Sequence, residues 1–330
     1  EAGSDPFSVV VYANAVPMLK IPVGTEYQTS ADPDMHRMID GDLYTDFSTD
    51  SVTVIKKNGR HLFSYPGREM ILGMHVDSSG VYTLGQSRQG EGFSFRRDGE
   101  LLFERTKGSL MGRVAAIDNG FAFSEKVSGS NVERYYLYRN GDVTQIAVRE
   151  DVKKVWDVTV SNSEVCLIAT LTGISHPVLV CGEDMYLLDF PLSVKVISCC
   201  FVPSEGELLI DGVFVTSNGV ITSGLWRKDV RECLFPTGMT VWSSCVDGSG
   251  VSCLLSHYST GELKISRCGE ICTLPEGYTA MGTAPLAMAD GILYVGMTSL
   301  EGGEPAVWMD GEVRKLNFNG YISSISVWAP

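Results

Sequence analysis

The sequence predicts an all-β protein, a β-propeller of eight blades with four antiparallel strands in each, and three observations lead there. The first is a turn that recurs between short apolar runs. It reads Lys57-Asn58-Gly59, Arg97-Asp98-Gly99, Arg139-Asn140-Gly141, Val180-Cys181-Gly182, Arg227-Lys228-Asp229, Arg267-Cys268-Gly269 and Met309-Asp310-Gly311. Successive last residues are separated by 40, 42, 41, 47, 40 and 42. The second is another turn class interleaved with it, anchored at 40, 77, 118, 161, 204, 247 and 290, with intervals of 37, 41, 43, 43, 43 and 43. Asn-Gly and Asp-Gly supply the positive φ angles of a tight hairpin, so each repeat contains two hairpins. The third is the character of the flanks. Val114-Ala115-Ala116-Ile117 and Tyr135-Tyr136-Leu137-Tyr138 are short and rich in β-branched and aromatic residues, without a helical period. Four such strands in about 42 residues make a propeller blade.

The strands of a blade are lettered A to D, A being the first after the longer connection. Strand A is small and apolar in several repeats, as in Ala284-Pro285-Leu286-Ala287-Met288, which suits the crowded centre of a ring. An open stack would need polar caps. This chain instead begins with Phe7-Ser8-Val9-Val10-Val11-Tyr12 and ends with Ile322-Ser323-Ser324-Ile325-Ser326-Val327-Trp328, strand-like ends able to pair with each other. One domain is therefore expected over 1–330, closed by strand A at 322–327 returning to the N-terminal strands. In that register Val9 to Ala13 is strand B, Met18 to Ile21 strand C and Glu26 to Ser30 strand D. A rival register aligns Tyr12-Ala13-Asn14-Ala15 with the Asn-Gly turns and leaves seven blades with an added N-terminal hairpin, or a last blade one strand short.

Composition narrows the setting and the partners. Hydrophobic residues make up 44% and charged residues 20%, enough apolar material for a packed core. No run of eighteen apolar residues occurs and no basic, apolar leader opens the sequence, so a body without a transmembrane segment is expected, any export signal having been removed. The net charge of −14, with basic residues scattered, repels phosphate backbones and excludes nucleic acid and anionic membranes as expected partners. All nine cysteines lie between Cys166 and Cys272, mostly inside apolar runs such as Ser198-Cys199-Cys200-Phe201, so most thiols are expected to be reduced and shielded. Cys268 and Cys272 flank a hairpin turn, which allows one bridge there. No C-x-x-C occurs, and His36, His61, His75, His176 and His257 have no ligand spacing, so neither a metal nor another cofactor is expected.

At the turn between strands C and D the chain resembles secreted and lipoprotein β-propellers of gut Bacteroidetes, whose repeats carry an aromatic, basic, Asn-Gly turn. Tyr138-Arg139-Asn140-Gly141 matches that pattern, Trp308-Met309-Asp310-Gly311 and Trp226-Arg227-Lys228-Asp229 match it in part, and Lys57-Asn58-Gly59 keeps its end. Ala116-Ile117-Asp118 with Gly120-Phe121-Ala122-Phe123 is similar to NHL-type blades. The resemblance implies an exported protein, periplasmic or at the cell surface, with a lipid anchor beyond Glu1-Ala2-Gly3-Ser4-Asp5-Pro6 as one form of it. It carries no catalytic residue.

The residues offer little chemistry. Asp40, Asp42, Asp46 and Asp50 are the densest acidic cluster, but the spacing is not that of an EF-hand, and Ser51 stands where the closing carboxylate would be. Gly90-Glu91-Gly92 has no helix after it, and Gly-x-Ser-x-Gly does not occur. Two classes of function stay open: a non-enzymatic binding or scaffold propeller, expected as a monomer, that engages a glycan, peptide or protein, and a hydrolase or lyase with its site in the central funnel. The tight turns occupy one end of each blade. The opposite end carries the longer segments Gly85 to Gly92, Ser124 to Glu133, Thr170 to Pro177 and Gly277 to Ala284, and binding residues sit on loops held by a rigid scaffold. The ligand-binding candidates there are Arg68, Arg113, Trp156, Trp242, Tyr278 and Tyr321, flat aromatic and forked cationic groups suited to stacking on a sugar or peptide. The competing role for Trp156 and Trp242 is to fill the gap between blades, as Trp226 and Trp308 are expected to do.

Closure by the C-terminus makes a direct prediction. Deleting Ile322 to Pro330 strips the inner strand from one blade. Insoluble or molten protein is expected in size-exclusion chromatography and thermal melts, and a monomer with an unchanged Tm would refute closure.

Overall fold

The structure is a computed structural model that describes residues 8–13, 16–22, 37–39, 42–49, 51–88, 92–117, 120–127, 133–139, 142–162, 164–202, 208–247, 250–267, 269–280, 285–302, 304–316, 322 and 325. The fold is all-β, a propeller of four-stranded antiparallel sheets. Each sheet keeps the order A-B-C-D. Sheet 1 runs Arg37–Ile39, Asp42–Ser48, Val52–Lys57, Arg60–Pro66, and sheet 2 Glu69–Asp77, Gly80–Ser87, Phe93–Arg97, Glu100–Arg105. Sheet 3 runs Ser109–Ile117, Gly120–Lys126, Glu133–Arg139, Asp142–Gln145, and sheet 4 Val152–Ser161, Glu164–Leu171, Val178–Cys181, Asp184–Leu187. Sheet 5 runs Lys195–Val202, Leu209–Val215, Ile221–Arg227, Val230–Leu234, and sheet 6 Met239–Asp247, Gly250–His257, Leu263–Arg267, Glu270–Thr273. A seventh sheet has five strands, with Tyr278–Thr279 and Leu286–Ala289 both pairing with Ile292–Ser299, followed by Pro305–Met309 and Glu312–Lys315.

The hairpin turns follow from backbone stereochemistry. Lys57 pairs with Arg60, Arg97 with Glu100, Arg227 with Val230 and Met309 with Glu312, each across a two-residue loop. Both loop residues take positive φ in three of these: 51° and 75° at Asn58 and Gly59, 50° and 84° at Asp98 and Gly99, and 43° and 104° at Asp310 and Gly311. These are the mirror-image turns whose twist matches that of the flanking strands. Side chains lock some of them. Asn58 accepts a hydrogen bond from the Leu43 amide at 2.8 Å and donates to Asp42 at 2.6 Å, tying the C to D turn to strand B of the same sheet.

The chain divides into two compact units, one of 1–146, 277–285 and 294–330, the other of 147–276 and 286–293. In the first, sheets 2 and 3 enclose a cluster that includes Leu84, Phe95, Phe121, Phe123 and Tyr138. Strand B of sheet 1 is buried from Leu43 to Ser48 without alternation. It is covered on both faces, and the covered positions include Thr45, Asp46 and Ser48 as well as Leu43, Tyr44 and Phe47. Strand D is the opposite: Arg60–Pro66 and Glu100–Arg105 are mostly exposed. The N-terminal strands Ser8–Ala13 and Val16–Pro22 pair as a hairpin, Ala13 opposite Val16. Strands fall at the expected 9–13 and 18–21, but their two-residue spacing is that of the Asn-Gly turns, as in the rival register, and the strand expected at 26–30 lies outside the described residues. Of the expected closing strand 322–327, Ile322 and Ile325 are described, and both lie against Gly296, where an added Cβ would stand 2.7 and 3.3 Å from their side chains.

In the second unit, sheets 4 and 5 close over Ile168, Leu179, Phe190, Cys199, Phe214 and Trp226, and sheets 5 and 6 over Leu209, Leu225, Met239, Cys253 and Leu255. Trp226 is fully buried, as expected of the position before the C to D turn. Its ring lies 4.3 Å from that of Phe190, and both sit over Gly212. The sequence allowed one bridge at Cys268 and Cys272, and the described residues hold one elsewhere. Cys166 and Cys181 stand directly opposite on strands B and C of sheet 4 and form a disulfide, which the apolar setting of each residue concealed. Cys199, Cys233 and Cys253 are free, and burial pushes the thiols of Cys199 and Cys253 well above their ordinary value. Cys268 lies outside the described residues.

The first unit also holds a buried polar strut between sheets 1 and 2. Glu69 accepts hydrogen bonds from Ser94 at 2.7 Å and Arg96 at 3.2 Å, and its amide donates to Thr53 Oγ1 at 3.1 Å. The Arg96 guanidinium lies over the Tyr65 ring at 4.2 Å. Burial, with the Glu69 charge beside it, pushes the Tyr65 phenol well above its ordinary value. Asp46 is 1% exposed on strand B of sheet 1, and Asp42 bonds Asn58 and Lys57, so both belong to strand and turn structure.

Two predictions come from this packing. A Cβ at Gly212 would stand 2.6 Å from Phe190 and 2.8 Å from Trp226, so Gly212→Ala is expected to cost about 1–3 kcal/mol in urea unfolding by overpacking. An unchanged midpoint would contradict the packing. For Tyr65, the unfolded phenol ionises near pH ~10 while the folded one holds its proton to higher pH, so its contribution to stability is complete below ~10 and is lost above it. Between pH 9 and 11 the wild type is expected to lose more unfolding free energy than Tyr65→Phe, and equal losses would refute the burial of the hydroxyl.

Candidate binding surface

Strand A of these sheets carries an irregularity at a repeated position. Leu72 in sheet 2, Trp156 in sheet 4, Ile197 in sheet 5 and Trp242 in sheet 6 are each skipped in the pairing with strand B. Sheet 3 slips in the same region, between Met111 and Ala115. A bulge inserts one residue, bends the strand and re-aims a side chain. Trp156 and Trp242 were expected at the head of strand A, where the crossover delivers side chains. They lie inside the strand, and the bulge turns them.

The two tryptophans then part company. Trp156 is half-buried against the cluster between sheets 4 and 5, donates from Nε1 to Thr170 Oγ1 at 2.8 Å, and has the Lys154 ammonium 3.2 Å from its ring centroid. Next to it, Asp157 accepts hydrogen bonds from the Val158 amide and the Phe201 amide, both at 2.8 Å. The second bond fastens strand A of sheet 4 to strand A of sheet 5. Trp156 therefore fills the gap between sheets, while Trp242 is 37% exposed.

The other candidates belong to the first unit. Arg68 lies in the crossover from sheet 1 to sheet 2, half-buried, its carbonyl accepting from the Arg88 amide at 3.0 Å. Arg113 lies in strand A of sheet 3, and its side chain is outside the described residues. Tyr278 was expected in a loop and is instead paired with Ser299 in a short strand, half-buried. Tyr321 lies outside the described residues.

What the sequence pattern missed is a group of exposed apolar side chains at one end of the second unit. Strand A begins there, strand D ends there, and the B to C loops turn there. Val148 and Leu192 sit on crossovers, Tyr258 on a B to C loop, and Ile197 and Trp242 at the bulges. Leu187 and Leu234, the last residues of two D strands, join them at 59% and 45% exposure. Leu192 is 89% exposed, and Ser193 beside it has a φ of 63°, a conformation uncommon outside glycine. The signal was present in Phe190-Pro191-Leu192, an apolar run in a connection, but it reads like core until the strands are placed.

The tight-turn end of the same unit is different. A shallow pocket of about 250 Å³ lies between sheets 4 and 5, lined by Glu164, Asp184, Tyr186, Arg227 and Lys228 with the Cys166–Cys181 pair beneath. Its polar groups satisfy one another: Tyr186 donates to Asp184 at 3.0 Å, Lys228 lies 4.2 Å over the Tyr186 ring, and Arg227 pairs with Glu232 at 2.7 Å. Among the described residues no group of three His, Cys, Asp or Glu is placed to hold a metal ion, and no helix is long and apolar enough to cross a membrane.

No family model matches the chain, and no curated protein matches it. Solved structures do. The dihydro-heme d1 dehydrogenase NirN aligns over 96% of this chain and 72% of its own, with 13% identity and a TM-score of 0.58. An uncharacterised protein of Listeria monocytogenes EGD-e aligns over 92% and 98%, with 12% identity and a TM-score of 0.53. Kluyveromyces lactis Hsv2 aligns over 85% and 91%, with 10% identity and a TM-score of 0.50. Likenesses at this identity bear on architecture alone, and together with the sheets described above they make the chain a β-propeller.

Proposed function

We propose that this chain is a non-enzymatic binding propeller, exported, that holds a peptide, protein segment or glycan on the crossover end of its second unit. The observation that carries the reading is the gathering of Val148, Leu192, Ile197, Trp242 and Tyr258 at that end, exposed on strands and loops that rigid sheets hold in place. Full burial of one such side chain is worth about 1.5–3 kcal/mol. Four of the five are 37–50% exposed, so covering each contributes roughly half of that or less, which is a part of the ~8 kcal/mol of a micromolar complex. Hydrogen bonds from the ligand to the loops supply the rest. A hydrolase or lyase in the central funnel calls for carboxylates or histidines at matching positions of the A strands, and the bulges carry Leu72, Trp156, Ile197 and Trp242 instead. The Cys166–Cys181 bridge supports an oxidising compartment.

The test is a glycan and peptide array probed with three forms of the full chain: wild type, Leu192→Ser with Trp242→Ala, and Tyr186→Ala with Lys228→Ala. Hits are expected to vanish with the second form and persist with the third. The opposite pattern would move the site to the tight-turn end and overturn the proposal.

A further inference from the structure

The bulged inner strands of the second unit carry cations as well as apolar groups, and this decides what kind of ligand they favour. Strand A of sheet 4 opens Val152-Lys153-Lys154, with Lys153 and Lys154 exposed and Lys153 skipped in the pairing like Trp156. Strand A of sheet 5 opens with an exposed Lys195, two residues before the bulged Ile197. The hydrogen bond from the Phe201 amide to Asp157 sets the two strands side by side.

The carboxylates of this end are largely engaged elsewhere. Asp151 is held by Arg149 at 2.9 Å, Asp189 by Arg231 at 3.3 Å and Glu262 by Lys264 at 3.3 Å. Lys153 and Lys195 make no ion pair among the described residues, while Glu150 and Glu276 are the unpaired acids of the crossovers. Paired lysines on a protein surface gain little. Unpaired ones on a strand beside exposed Ile197 and Leu192 are available to a partner.

On the reading that the crossover end binds a ligand, we infer that the occupant is an acidic protein segment bearing apolar side chains, its carboxylates meeting Lys153 and Lys195 and its apolar groups covering Ile197, Leu192 and Trp242. Aliphatic side chains favour this occupant over a sugar, since a glycan stacks on flat rings and gains little from Ile197 or Leu192. The net charge of −14 opposes an acidic partner at long range. At physiological salt that field decays over ~8 Å, so at contact the nearest charges decide, and on the strands that carry Trp156 and Ile197 the unpaired ones are Lys153 and Lys195, Glu150 and Glu276 lying on the crossovers.

Fluorescence anisotropy with a labelled peptide of alternating glutamate and leucine tests this, beside counterparts carrying glutamine or lysine in place of glutamate. The full chain is compared with Lys153→Glu/Lys195→Glu and with Lys153→Gln/Lys195→Gln, both at exposed positions where an unchanged Tm is expected. The glutamate peptide is expected to bind wild type, to lose about tenfold or more in affinity with the charge-reversed form and less with the neutral form, and to bind more tightly than the lysine peptide. Equal affinity for wild type and the charge-reversed form, tighter binding of the lysine peptide, or no binding of the glutamate peptide would overturn the inference. Array hits that still depend on Leu192 and Trp242 would then leave the binding face standing with a different ligand class.

Discussion

A sheet whose inner strands are buried on both faces cannot stand alone, and this constraint governs the structure. Strand B of sheet 1 from Leu43 to Ser48, and strand C of sheet 4 from Val178 to Cys181, are buried without alternation. Neighbouring sheets must therefore cover them, and the fit is set by small residues facing large ones. Gly73 lies under Val114 and Phe121, Gly212 under Phe190 and Trp226, and Gly296 under Ile322 and Ile325. Polar groups follow the same geometry. The Glu69 strut and the Asp157 to Phe201 bond each join one sheet to the next, and buried polar groups of this kind persist because they are hydrogen-bonded.

Much of this was legible because turns are local. Asn58-Gly59 and Asp310-Gly311 need positive φ whatever surrounds them, so their spacing in the chain revealed the repeat. Registers between strands were less legible. The Cys166–Cys181 bridge depends on which residue of strand B faces which of strand C, and that appears only when the two turns flanking strands B and C are used to count inward. The exposure of a side chain was the least legible of all. Trp156 and Trp242 occupy the same bulge of equivalent strands, yet the packing of sheets 4 and 5 draws one inward and leaves the other open. Part of the cover on Trp156 comes from another sheet and part from Lys154 two residues earlier, where Trp242 has Thr240.

Function depends on the same asymmetry. At the tight-turn end Tyr186, Asp184 and Lys228 contact one another, and Met185 and Val230 are also exposed there. The longer connections at the other end leave apolar groups uncovered, and the bulges of strand A add side chains aimed by the strand's own bend. Rigid sheets beneath fix these groups before any ligand arrives, which limits the ordering cost that binding must meet.

The most direct measurement is hydrogen–deuterium exchange of the full chain with and without a ligand selected on the array. The account predicts slowed exchange over 148–157, 188–198 and 235–243, with exchange near 161–164 and 226–230 unchanged. Protection confined to the tight turns would contradict it.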